Sequence, residues 1–107
     1  VVVIDALLLS VKQVEAAATA TATSLDQNVP NPATARTSIR FSIHDPGQVQ
    51  LALYSLDGEL LKTLLDRRME AGSYSAEIST DALPAGTYIY TLRCGATLQS
   101  KTMQVVR

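Results

Sequence analysis

TSIRFSIHDPGQVQLALYSLDGELLKTLL, residues 37–65, alternates apolar and polar side chains through two runs and then becomes ambiguous. In the first run Ile39, Phe41 and Ile43 share one face, while Ser38, Arg40 and Ser42 share the other. In the second the inward set is Val49, Leu51 and Leu53. A period of two is the spacing of a half-buried strand, and Pro46 and Gly47 supply a tight reversal between the runs, so a hairpin is predicted. Asp57-Gly58 is the strongest short hairpin signal in the chain. It leads into Leu60, Leu61, Leu64 and Leu65, whose spacing fits a helix as well as a strand. The run is short and bracketed by Gly58 and the turn region 67–72, which predicts a strand.

Downstream, EAGSYSAEI (70–78) and PAGTYIYTL (84–92) echo one another. Each sets Ala-Gly, a small hydroxyl residue and a tyrosine at the mouth of an alternating run. Gly72 and Gly86 permit a positive φ there, and Tyr74 and Tyr88 can bury a ring while keeping the hydroxyl near a wet edge. Cys94-Gly95 turns the chain once more. In the last run Met103 and Val105 oppose Thr102, Gln104 and Val106. Connections this short admit no crossover helices, so the reading is an all-β, antiparallel two-layer sandwich of about seven strands.

Upstream, LDQNVPNPA (25–33) contains Pro30 and Pro32 and reads as an extended, turn-rich lead-in. Residues 13–26 read as an Ala/Thr-rich linker that offers little to bury. Residues 1–12 read as the last strand of a preceding domain; a strand added onto the domain that follows, or a helix over residues 11–18, are the alternatives. The sandwich itself is placed at 27–107.

The 107 residues, 47% of them apolar, suffice for one packed domain. Nine basic and ten acidic side chains leave a net charge of -1, which is not the footprint of a nucleic-acid binder. One cysteine, Cys94, and one histidine, His44, build neither a thiolate or imidazole metal cage nor an intramolecular disulfide. No D-x-D-x-D-G loop is present, and no cofactor is expected. VVVIDALLLS (1–10) has no basic n-region and is too short to span a bilayer, so the chain reads as a fragment of something longer.

His44 sits at a predicted turn and reads as an exposed turn residue, not a base, and Cys94 as an ordinary free thiol. A sandwich this small has little room for a cleft with paired carboxylates. No phosphate loop is present, and no enzymatic activity is expected.

Taken in order, LDQNVPNPA, TSIRFSI, VQLALYSLDGELLKTLL, EAGSYSAEI, LPAGTYIYTL and the final LQSKTMQVVR resemble the C-terminal sorting domain of proteins exported by the type IX (Por) secretion system of Bacteroidetes-like bacteria. The resemblance runs over residues 25–107. It implies an immunoglobulin-like β-sandwich that serves as an address on an N-terminal cargo domain. The implied partners are the outer-membrane translocon, its shuttle proteins and a cell-surface sortase. The resemblance further implies passage of the cargo through the periplasm to the cell surface or medium, and its transfer by the sortase to an anionic lipopolysaccharide.

Carried over to this chain, the Pro-x-Gly-x-Tyr motif falls on Pro84, Gly86 and Tyr88, and the basic terminal motif on Lys101 and Arg107. Val105 and Val106 complete the terminal strand that, on this resemblance, the translocon is expected to read. The chain departs from the family at Val29, where a tyrosine is common, at Ala33-Thr34 for Phe-Asn, and at Thr102 for a second lysine. Cleavage is expected in the linker, around Ala16, Ala18, Ala20, Ala22 and Ser24.

The last strand is also expected to leave an open edge over residues 99–107 that can take a partner strand. Two other readings remain: an immunoglobulin-like structural module of the hook-capping type, and a carbohydrate-binding sandwich.

Overall fold

The computed structural model describes residues 8–15 and 23–106. Eight strands form: β1 Leu8–Glu15, β2 Ser24–Leu25, β3 Arg36–Ile43, β4 Gly47–Ser55, β5 Leu60–Met69, β6 Gly72–Ser79, β7 Gly86–Cys94 and β8 Thr97–Val105. They make two four-stranded sheets, ordered β1-β6-β3-β2 and β5-β4-β7-β8, with every strand pair antiparallel. The predicted all-β sandwich is therefore the fold. It has eight strands because β1 and β2 join it.

Alternation decides which side chains meet between the sheets. Ile39, Phe41 and Ile43 of β3 face Val49, Leu51 and Leu53 of β4 across a core completed by Tyr74, Ala76 and Ile78, by Tyr90 and Leu92, and by Met103 and Val105, all buried. Phe41 lies opposite Tyr74 on the neighbouring strand, and their rings stack with centroids 5.6 Å apart.

β5 explains why its leucines fit two periods. Leu51 pairs with Leu65 and Ala52 with Thr63, which leaves Leu64 as an extra residue; Leu53 pairs with Lys62 and Tyr54 with Leu60, which leaves Leu61 extra. Each double leucine thus coincides with a register shift. At the first of these, adjacent Leu64 and Leu65 are both buried. A bulge inserts one residue and re-aims the next, so four-residue spacing arises here without a helix.

Two turns depend on glycine. Gly58 takes φ 92° after the Ser55–Gly58 turn, whose amide donates to the Ser55 carbonyl at 3.0 Å. Gly95 takes φ 58° in the two-residue link between Cys94 and Thr97, where a side chain is disfavoured.

β1 crosses the position between Lys12 and Gln13 where the linker is predicted to start, and it pairs with β6 from Leu8↔Ile78 to Glu15↔Ser73. Residues 13–15 accordingly belong to a strand, as do Ser24 and Leu25. Residues 1–7 lie outside the described residues.

Leu51, fully buried at the centre of β4, sets the scale of the core. Leu51→Ala is expected to lower the unfolding free energy by about 2–5 kcal/mol. Urea unfolding monitored by circular dichroism checks this, with exposed Leu98→Ala as the control that changes little.

Candidate functional site

The lead-in segment, residues 26–35, does not trail away from the sandwich. It runs along the gap between the two sheets and bonds to both. On the first sheet, the Asp26 amide donates to the Arg40 carbonyl (2.9 Å), and Val29 and Ser38 exchange amide–carbonyl bonds of 2.9 and 2.8 Å. On the second, the Ala33 amide donates to the Gln104 carbonyl (2.8 Å), and the Val106 amide donates to the Ala33 carbonyl (2.9 Å). Ala33 is fully buried where the two meet.

Side-chain amides make the bonds that an extended ladder cannot. Proline lacks an N–H, and a segment with Pro30 and Pro32 cannot pair continuously with either neighbour. Gln27 Nε2 donates to the Thr102 carbonyl (2.6 Å), and Asn31 Oδ1 accepts from the Gln104 amide (3.0 Å). Buried Asn28 donates through Nδ2 to the Pro30 carbonyl and to Thr37 Oγ1, both at 3.0 Å, and Thr37 Oγ1 donates to the same carbonyl at 2.9 Å. From β8, Gln99 accepts from the Leu25 amide (2.9 Å) and donates to the Thr23 carbonyl (3.0 Å).

Tyr90 anchors this arrangement from below. Its ring is fully buried, and its hydroxyl donates to the Asp26 carbonyl at 2.7 Å. Burial pushes the phenol up to about 12, and the Asp26 carboxylate adds to that, against a backbone hydrogen bond from Asn28 that lowers it.

The echoed AGSY and AGTY stretches prove to be a matched pair of tyrosine corners. The Tyr74 hydroxyl donates to the Glu70 carbonyl (2.7 Å), and the Tyr88 hydroxyl donates to the Pro84 carbonyl (2.5 Å), each four residues back. One corner opens a strand of each sheet. Both rings are buried, and Gly72 and Gly86 both take positive φ, as predicted.

Pro84, Gly86 and Tyr88 are brought beside Val105 and Val106, because Gly86 pairs with Val105 and Tyr88 with Met103. Pro84, Gly86 and Val106 are exposed, whereas Tyr88 and Val105 are buried. Lys101 stands apart and exposed, opposite Tyr90. Arg107 lies outside the described residues, as do Ala16, Ala18, Ala20 and Ala22; Ser24 is in β2, paired with Ser42.

The expected open edge over 99–107 needs correcting. The Thr102 carbonyl, both backbone groups of Gln104 and the Val106 amide are already taken by the lead-in segment. Over residues 102–106 the outer edge of β8, the end strand of its sheet, is therefore covered by the lead-in segment. Gln27, Asn28, Asn31 and Thr37, which with Ala33 and Gln99 form this closure, are not residues that the sequence reading singles out. The available signal was a cluster of amide side chains beside prolines, which implies bonds made outside a regular ladder.

Among the described residues, no group of three or more His, Cys, Asp or Glu side chains is placed to hold a metal ion. His44 is exposed between β3 and β4, and the Cys94 thiol lies 3.9 Å from the Asp45 carbonyl.

Fold and site together define a small β-sandwich module locked by its own lead-in segment. The family pattern of the secretion system C-terminal sorting domain matches residues 29–106, and the chain belongs to that family. No curated protein and no solved structure gives a significant match. Membership makes it a type IX (Por) sorting domain, a non-catalytic secretion signal that engages the type IX machinery for cargo bound for the outer-membrane surface or beyond.

Two measurements probe the site. Tyr74→Phe and Tyr88→Phe are each expected to cost about 1 kcal/mol in urea unfolding, the worth of one hydrogen bond. For Tyr90, whose folded pKa of about 12 exceeds the unfolded value of 10.0, the stabilising contribution is complete below pH 10 and is lost as pH rises to 12, because the unfolded chain ionises first. Unfolding free energies across that interval are expected to fall more steeply for the native chain than for Tyr90→Phe.

Proposed function

We propose that the domain is an address read at the end of the sandwich where the Tyr88 corner, β8 and the lead-in segment interlock. The observation that carries this is the fixation of the 102–106 backbone from both sides, by β7 and by residues 27–33. A signal read by a protein machine needs a shape that does not fray. Here residues 102–106 are bonded along both edges of β8.

Within the proposed recognition set, exposed Pro84, Gly86, Lys101 and Val106 are the contact residues, with Arg107 following. Buried Tyr88 and Val105 position them. The translocon and its shuttle proteins are the partners. A cell-surface sortase then cuts in the Ala/Thr-rich stretch 16–22, whose small side chains suit a protease, and the cargo is attached to the surface or released.

The test is export of a fluorescent reporter fused ahead of residues 1–107, behind an inner-membrane signal peptide, in a bacterium with the type IX system. Reporter at the surface or in the medium is expected for the intact domain. Loss of export is expected for a chain lacking 101–107 and for the pair Lys101→Glu, Val106→Asp, both at exposed positions. Retention of the intact fusion in the periplasm, in a host that exports another family member's tail, overturns the reading. Intact mass of the exported reporter with the domain still attached overturns the cleavage step alone.

A further inference from the structure

Between the β4–β5 turn and the β6–β7 connection, beside the Tyr88 corner, lies a cleft of about 470 Å³. Its apolar lining is Leu60, Leu61, Leu83, Pro84 and Tyr88, and the turn adds Ser55 and Glu59. Ligand pockets occupy roughly 300–1,000 Å³, so there is room for a large apolar side chain. Leu56 is 64% exposed and Leu60 52%, one on each side of the Asp57–Glu59 stretch. A lone exposed leucine is ordinary, but two of them flanking an apolar cleft mark a contact surface.

The polar groups of the lining are unequal. The Tyr88 hydroxyl donates to the Pro84 carbonyl, and Ser55 Oγ accepts from the Glu59 amide at 3.1 Å. The Glu59 carboxylate, by contrast, enters no hydrogen bond or ion pair among the described residues. Asp57, exposed in the same turn, brings a second negative charge, and no basic side chain lines the cleft. Tyr88 joins the cleft to the end of the chain, because it pairs with Ser55 on one edge of β7 and with Met103 on the other.

We propose that this cleft docks an extended segment of the partner that reads the domain, taking one apolar side chain flanked by a lysine or arginine. The inference rests on the address reading for which protein presents the segment; the chemistry of the segment comes from the cleft. Burial of the apolar side chain supplies affinity, while the Glu59 and Asp57 carboxylates select the sign of the flanking charge.

Titration of the isotope-labelled full chain with the blocked pentapeptide GKLKG, followed by amide chemical shifts, tests the cleft with no secretion component present. Saturable shifts are expected at Glu59, Leu60, Leu61, Leu83 and Tyr88, and none at Thr97 and Leu98 beyond the far end of β7. The peptide GKSKG is expected to bind at least about tenfold more weakly, since it has no apolar side chain to bury. GELEG is expected to bind at least about threefold more weakly. Glu59→Lys, which leaves the backbone bonds to Ser55 intact, is expected to remove the preference between GKLKG and GELEG. Absence of saturable shifts, or equal binding of the three peptides, overturns the proposal. Shifts that grow with protein concentration alone place a second copy in the cleft and overturn it as well.

In the export assay, the fusion carrying Glu59→Lys and Leu60→Ser, both at exposed positions, is expected to lose export while its circular dichroism spectrum is unchanged. Export of that variant equal to that of the intact fusion overturns the docking role and leaves the address reading standing. Retention of the intact fusion itself tells against the address reading alone, and the peptide titration then decides the cleft.

Discussion

The hydrogen bond from the Tyr90 hydroxyl to the Asp26 carbonyl joins the middle of one sheet to a segment that is also paired with the other. Two stacked sheets share a core but need not share backbone bonds, and their flanks are where such sandwiches admit water. Here the lead-in segment closes one flank by bonding alternately to β3 and β8. Tyr90 fixes the depth at which it lies. The buried polar groups Asn28 and Thr37 are tolerable because they bond to one another and to the Pro30 carbonyl.

The prolines make this closure specific. A regular strand in the same groove would zip to one sheet and ignore the other. With donors missing at Pro30 and Pro32, the segment bonds by turns: Val29 to Ser38, Asn31 and Ala33 to Gln104. Ala33 fits at the crossing point, where both of its backbone groups are engaged by β8 and it has no solvent exposure. The tyrosine corners play a parallel part at the mouths of β6 and β7, each tying a turn to its own strand. The sandwich is thus pinned at its turns as well as packed at its centre.

Much of this was legible in the residue pattern. The inward faces of β3, β4 and β8, the Asp57-Gly58 and Cys94-Gly95 turns, and the echoed AGSY and AGTY stretches all follow from local chemistry. The β5 leucines looked ambiguous because bulges place both members of a pair where a strict alternation allows one. The closure of β8 was not legible. Gln27 and Asn31 find partners about seventy residues away, and nothing local to an amide side chain tells where its acceptor is. β1 was legible as a strand but not as a member of this sheet, because an edge strand finds its neighbour through backbone groups as well as side chains, and the pattern of the former is not written in the sequence.

The separation between the two halves of the clasp carries a consequence for synthesis. Leu25 meets Gln99 across 74 positions, and Gln27 meets Thr102 across 75. A ribosome that stalls anywhere before β8 leaves the lead-in segment without half of its bonds, however well β3 to β7 have folded. The clasp therefore reads out chain length. Only a polypeptide translated through β8 completes these bonds, so the surface they form is absent from any chain cut short before Thr102.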